Sequence, residues 1–340
     1  MKSEAAVSYD LSSATSGSKP HRPLDLAIQG RRSVRTDLPV RVRSVESYWA
    51  EVRRQLRLAV DRLRAVCRAR PQKARAHYTK PPDWEGLTFS QKIRWRCRHP
   101  DPKVDYAIWA DKYWAKQVVA GLFAVPRTYA IIRDPEEIST VAIPNTFVMK
   151  ATHSWNMSLL VENGIVRGGN RSTKDAGRPS DPTYLRDLAI AWMNSEDHSS
   201  LRRAVQPYRN VEFGVIFEDY LCPVDYEIQL FLFAGHCKLA LVFSRPFCFE
   251  NVQHQIYDEN WTLREASAAQ VTPRVEVPRP PEWLFKALEQ LCRPIDHVRV
   301  DFMVSGERYY FSEFTFTHNG RNGPGFIANF DSQLGRHWPR

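Results

Sequence analysis

The stretch 297–326, "HVRVDFMVSGERYYFSEFTFTHNGRNGPGF", holds two short apolar runs, "VRVDF" and "YYFSEFTF", around a Gly-containing turn. Alternating runs bounded by such a turn predict a β-hairpin. Each run carries one acid, Asp301 or Glu313, at positions where an unpaired buried charge would be costly. Two carboxylates on paired strands can face one cation, and hard oxygen ligands of this kind suit Mg2+ held beside phosphates. Two solvent-facing strand acids are the plainer alternative, and the hairpin alone does not decide between them.

Working outward, a chain of 340 residues can form two or three lobes with a sizeable core, and 43% hydrophobic residues describe a globular protein. No apolar run reaches the length needed to cross a bilayer, and "MKSEAAVSYDLSSATSGSKPHRPL" lacks the apolar segment of a secretory signal. Cys67, Cys97, Cys222, Cys237, Cys248 and Cys292 form no CxxC pair. Reduced thiols in a cytoplasmic protein, without structural zinc, are the expectation.

The net charge of +10 invites a nucleic-acid reading, but residues 1–74 hold 16 Lys+Arg against 7 Asp+Glu, and the rest of the chain is nearly neutral. The basic character belongs to an appendage, and no nucleic-acid partner is expected. Residues 1–43, rich in Ser, Pro, Gly and Arg, read as a disordered basic extension. Within 44–74, Trp49, Val52, Leu56, Val60, Leu63 and Cys67 recur at steps of three and four, which predicts an amphipathic helix with an Arg-rich outer face. Through residues 45–69 this helix suits peripheral attachment to an anionic membrane face or an acidic partner. Packing on the main body with solvated arginines is the alternative.

From residue 80 onward helices and strands alternate without repeated βαβ units, which predicts an α+β protein. Helices are expected around 104–120, 182–204 and 281–293. "FVMKATHSWNMSLLVENG" reads as strand, polar loop and strand, and "AGH" turns a long antiparallel pair within 211–247. Lys150 is the only cation of the apolar run "TFVMK" and needs an anion, either a nucleotide phosphate or a neighbouring carboxylate. The following loop offers Thr152, His153, Ser154, Asn156 and Ser158 as donors but no glycine. "EDYL" (Glu218, Asp219, Tyr220, Leu221) is a short linker whose backbone suits an adenine edge, with Asp225 close behind.

Taken in order, "TFSQKIRW", "DKYWAK", "FVMKATH", "EDYL", "DYEI" and "VRVDFMV…YFSEFTF" resemble the ATP-grasp superfamily, and within it the TupA-like group. The resemblance covers about residues 85–331. It implies an ATP-grasp fold, with two α+β lobes of mainly antiparallel strands clasping ATP. The whole domain would span 75–340, the small lobe about 145–220 and the large lobe about 221–340. It further implies that Lys112 and Lys150 contact the ATP phosphates with His153 and Ser154 close by, that Glu218, Tyr220 and Leu221 hold the adenine, and that Asp225 holds the ribose. Asp301, Glu313 and Thr315 would bind Mg2+, Arg299 would stabilise the transferred phosphoryl group, and Arg245 would meet phosphate or substrate.

Three positions depart from the group's pattern: "HSWN" has no glycine, Glu227 stands where the motif has lysine, and Thr315 stands where many ATP-grasp enzymes carry asparagine. The activity implied is a carboxylate–amine ligase working through an acylphosphate on an amino acid, a peptide or a cell-surface sugar acid, in the cytoplasm or at the inner membrane face. In the loop 317–326, Asn319, Arg321 and Asn322 suit anchoring of the acceptor, against the alternative of a plain closing turn. A polysaccharide-assembly glycosyltransferase and a non-catalytic nucleotide-binding scaffold are the competing readings.

Overall fold

The computed structural model describes residues 54, 58, 80–154, 157–169, 175–195, 208–244, 253–266, 277–318 and 325–338. The expected extension 1–43 lies outside the described residues, and so does the basic helix 44–74 apart from Arg54 and Leu58.

Strands β1 (Thr128–Ile132), β2 (Phe147–Ala151), β3 (Ser158–Glu162), β4 (Ile165–Gly168) and β5 (Val215–Glu218) pair antiparallel in the order β1-β5-β2-β3-β4. Side chains alternate across a strand, so Phe147, Met149 and Ala151 of β2 enter one apolar core together with Val215 and Phe217 of β5. The helix Pro182–Met193 closes that core with Leu185, Ala189 and Trp192. Its start is set by Pro182 in the first turn and by Asp181, whose side chain accepts from the Tyr184 N–H at 3.0 Å. By the same alternation Val148, Lys150, Ile216 and Glu218 point to the opposite face.

Strands β6 (Tyr226–Phe233), β7 (His236–Ser244), β8 (Gln253–Asp258), β9 (Leu263–Ala266), β10 (His297–Ser305) and β11 (Arg308–Thr315) form a second antiparallel sheet, ordered β11-β10-β6-β7-β8-β9. The α+β expectation therefore holds, with these strands pairing antiparallel throughout both sheets. Gly235 turns β6 into β7 at φ +88°, and a Cβ there would come within 2.5 Å of the Glu289 carbonyl on the helix Glu282–Cys292. Glycine is thus required both by conformation and by space.

The expected helix 104–120 is two helices, Tyr106–Trp109 and Lys112–Val119. Asp111 restarts the second one by accepting from the N–H groups of Tyr113 at 2.8 Å and Trp114 at 3.0 Å.

Strand β11 contains the irregularity that matters most. Thr315, Phe314 and Glu313 stand opposite Arg299, Val300 and Asp301, but Phe311 stands opposite Phe302. Ser312 is therefore an extra residue, a β-bulge that reverses the in-and-out alternation. Tyr309 and Phe311 enter the core before it, and Phe314 and Phe316 after it. Glu313 is thereby left on the face of Asp301.

The helices Phe89–Arg96 and Asp331–His337 clamp one end of the six-stranded sheet, on the face that carries His297, Arg299 and Asp301. Asp331 accepts from the Ser90 N–H and hydroxyl, both at 2.7 Å, and the buried Lys92 ammonium donates to the Gly335 carbonyl at 2.8 Å. His297 lies in this clamp, with ring centroids 4.6 Å from Phe233, 4.8 Å from Phe89 and 4.9 Å from Trp338. Its Nδ1 lies 2.8 Å from the Leu232 carbonyl. Burial, then the charge of Arg96, push its imidazole well below the usual histidine range. The unfolded chain therefore binds a proton near pH 6.5 that the folded chain refuses, and stability falls as pH drops below that point. Thermal melts between pH 7.5 and 5 should show this loss, with a slope of at most about 1.4 kcal/mol per pH unit from this group. His297→Phe should melt with a shallower pH dependence; an unchanged slope would exclude His297 as its source.

Candidate functional site

Strand β10 places Arg299 and Asp301 on one face, two residues apart, and the bulge brings Glu313 opposite Asp301. Arg299 and Asp301 are nearly buried, so their charges need partners. The guanidinium forks onto the Asp301 carboxylate, with Nε to Oδ1 at 2.8 Å and Nη2 to Oδ2 at 2.5 Å. It also donates to the Thr315 hydroxyl at 3.1 Å, and its Nη1 lies 3.0 Å from Nδ1 of His318. Bidentate pairing of this kind is strong and directional. Thr315 in turn donates to Oε1 of Glu313 at 3.1 Å.

The two facing carboxylates have different environments. Burial raises Asp301 to about 7 against the pull of Arg299, with Glu313 and Glu227 adding to the rise. Burial also acts on Glu313, but Lys112 and Arg299 outweigh it and hold this carboxyl at about 2. Lys112 sits 3.2 Å from Oε2 of Glu313 and donates to the Ser154 carbonyl at 2.5 Å. It thereby touches both the hairpin of one sheet and the β2–β3 loop of the other.

A second ion cluster adjoins the first. Glu218, the last residue of β5, is fully buried between Lys116 and Lys150, with the Lys150 ammonium 3.2 Å from Oε2 and Lys116 ion-paired to Oε1. Lys116 follows Lys112 by one helical turn, which puts both on one face. Burial lowers Lys116 to about 8, while the two lysines outweigh burial at Glu218 and hold its carboxyl below the usual range. Lys150 thus has the carboxylate partner that an inward strand lysine requires, and the Glu218 side chain is committed to lysines.

The remaining expected residues are spread around these clusters. His153 and Ser154 are buried, with the His153 ring 5.1 Å from Phe213. Tyr220 and Leu221 are half-buried in the linker after β5. Asp225 is exposed, and its Oδ2 accepts from the Gly306 N–H in the β10–β11 turn at 2.7 Å. Arg245 and Arg321 lie outside the described residues, as do Asn156, Asn319 and Asn322. Glu227 accepts from Gln229 at 2.8 Å on the face of Asp301, and burial raises its carboxyl. Lys116 and His318 join the site without having been singled out from sequence. The four-residue step from Lys112 was the available signal for Lys116, whereas nothing local marked His318.

Among the described residues no three His, Cys, Asp or Glu side chains come together as a metal site. Two carboxylates with one hydroxyl fit Mg2+, which keeps several waters and takes its other ligands from phosphates. They would not suit a fully protein-caged metal.

A profile of the TupA-like ATP-grasp family matches residues 91–338. No curated protein matches the chain. Among solved structures, the macrocyclase MdnC from Microcystis aeruginosa MRC, bound with its precursor peptide MdnA, is similar at 14% identity and a TM-score of 0.39, over 74% of this chain and 68% of that one. The ATP-grasp ligase PsnB, in a complex with a precursor, Mg and ADP, is similar at 12% identity and 0.35, over 69% and 60%. D-alanine–D-alanine ligase from Bacillus anthracis is similar at 15% identity and 0.34, over 68% and 63%. The chain thus spans roughly three-fifths to two-thirds of the length of these proteins.

The buried triad yields a test by stability. Glu218→Gln leaves two ammonium groups without their anion and should cost on the order of 3–5 kcal/mol in urea unfolding. Adding Lys116→Met should restore much of that loss, because the two changes share one interaction. Strictly additive costs would show that the triad is not coupled.

Proposed function

This chain belongs to the TupA-like ATP-grasp family, and on that premise we propose that it is an ATP- and Mg-dependent carboxylate–amine ligase. The observation that carries the reading is the facing pair Asp301 and Glu313, with Arg299 forked beside them and Lys112 reaching in from the first turn of the helix Lys112–Val119. Such a set offers oxygen ligands to a cation and positive charge to phosphates in one place.

In this reading ATP lies between the two sheets, the five-stranded one serving as the small lobe and the six-stranded one as the large lobe. Backbone groups of Tyr220 and Leu221 meet the adenine beside Glu218, and the free Oδ1 of Asp225 meets the ribose. Lys112 and Lys150 exchange carboxylate partners for phosphate oxygens, with His153 and Ser154 lining the same stretch. Asp301, Glu313 and the Thr315 hydroxyl would hold Mg2+, which supplies neutralisation of charge on the phosphate oxygens.

A substrate carboxylate oxygen attacks the γ-phosphorus, the bond to the β–γ bridging oxygen breaks, and ADP leaves an acylphosphate behind. Arg299 steadies the charge on the transferred group, Arg245 is assigned to phosphate or substrate from the motif resemblance, and Arg321 is assigned to the acceptor or the acylphosphate from its polar loop. An amine nitrogen then attacks the acyl carbon, releasing inorganic phosphate and a proton and leaving an amide. Phosphoryl transfer of this kind depends mainly on positioning and charge. The acid substrate is an amino acid, a peptide or a sugar acid.

The test is to incubate the protein with Mg-ATP and pools of amino acids, short peptides and uronic acids, following ADP and new amide masses. ADP release tied to a new amide is expected, and Asp301→Asn with Glu313→Gln should reduce it by on the order of a hundredfold or more. ADP formed at an undiminished rate by that double variant would sink the metal assignment. A glycosidic product without ADP would favour sugar transfer instead.

A further inference from the structure

We propose that Arg133 is a positioning residue that holds the Lys112 helix, the β2–β3 loop and the segment entering β5 in one arrangement competent for nucleotide. The inference rests on the nucleotide-binding reading above and adds a residue that no family motif marks. Arg133 directly follows β1, and its Nη1 lies in a nest of four acceptors on three segments. These are Oδ2 of Asp111 at 3.3 Å, the Thr152 hydroxyl at 3.4 Å, and the carbonyls of Glu212 at 3.2 Å and Phe213 at 3.0 Å. Nη2 adds a second contact to Asp111 at 3.4 Å, and Nε lies 3.9 Å from the Glu212 carboxylate.

Each segment leads directly to a site group. Asp111 caps the helix whose first residue is Lys112, and the Lys112 N–H donates to the Thr152 carbonyl at 3.1 Å. Thr152 opens the loop whose Ser154 carbonyl receives the Lys112 ammonium, and its own N–H donates to the Gly214 carbonyl at 2.8 Å. The third segment, which carries Glu212 and Phe213, runs directly into β5. It ends at Glu218. One guanidinium therefore sets the spacing among Lys112, the loop and the carboxylate that holds Lys150.

Space around the side chain supports this role. A Cβ on Gly214 would lie 2.7 Å from Nη1 and 3.1 Å from Cδ of Arg133. The glycine leaves room for the arginine, and filling that room would displace a flexible side chain rather than backbone. Asp111 is fully buried, so removing Arg133 alone would strand a charge; the pair must also be removed together.

The experiment measures the dissociation constant for the magnesium complex of adenylyl imidodiphosphate by calorimetry, beside thermal melts. Arg133→Met combined with Asp111→Asn should fold and melt cooperatively, yet bind the nucleotide roughly tenfold or more weakly, since small misplacements of charged contacts are expensive. Arg133→Lys should fall between wild type and that variant. Gly214→Ala should weaken binding in the wild-type background and add nothing in the Arg133→Met/Asp111→Asn background. Wild-type affinity in both Gly214→Ala and the double variant overturns the role of Arg133 while leaving the nucleotide reading intact. A wild-type protein that binds no nucleotide overturns both.

Discussion

Glu313 faces Asp301 only because β11 carries Ser312 as an extra residue. In an unbroken strand, residues two apart share a face, so Phe311 in the core would carry Glu313 into the core with it. The bulge lets one strand supply core aromatics on both sides of the irregularity and still turn a carboxylate toward the site. Everything that meets Glu313 depends on this shift: the Thr315 hydroxyl, the Lys112 ammonium and the edge of the Arg299 guanidinium.

Once carboxylates are brought inside, the surrounding charges follow from the cost of burying them alone. Asp301 has the Arg299 fork, Glu218 has two lysines, and Asp111 has Arg133. On the function proposed above, Lys112 and Lys150 are the groups an incoming polyanion would recruit. A fold that holds them as internal ion pairs keeps its cations in position at the price of an exchange when ligand enters. Lys112 would be central to that exchange, because it touches the acid hairpin and the β2–β3 loop at once.

Much of this was visible in residue order. The alternation of "VRVDF" and "YYFSEFTF" announced β10 and β11, and "FVMK" placed Lys150 on a strand with its neighbours in the core. Even the bulge has a trace in the sequence, since the aromatics are 309, 310, 311, 314 and 316, with a step of three from 311 to 314 where alternation requires two. Lys116 needed the helix to be phased onto Lys112. Strand β1 was missed because "TYAII" sits at the edge of its sheet with a mostly half-buried pattern that gives weak alternation. No local pattern gives the partner of Asp225, which is a backbone N–H in a turn far along the chain.

Local rules of periodicity, turn chemistry and charge cost operate on neighbouring residues, so the sequence by itself determined the antiparallel α+β character, the acidic hairpin and the need of Lys150 for an anion. Partner choice is different, because it depends on which distant segments pack together. Only the tertiary structure decided that Lys150 and Lys116 share Glu218, that Arg299 spends its fork on Asp301, and that Arg133 gathers Asp111, Thr152 and the segment before β5. A buried charge dictates that a counter-charge exists, and the packing of sheets and helices selects which residue supplies it.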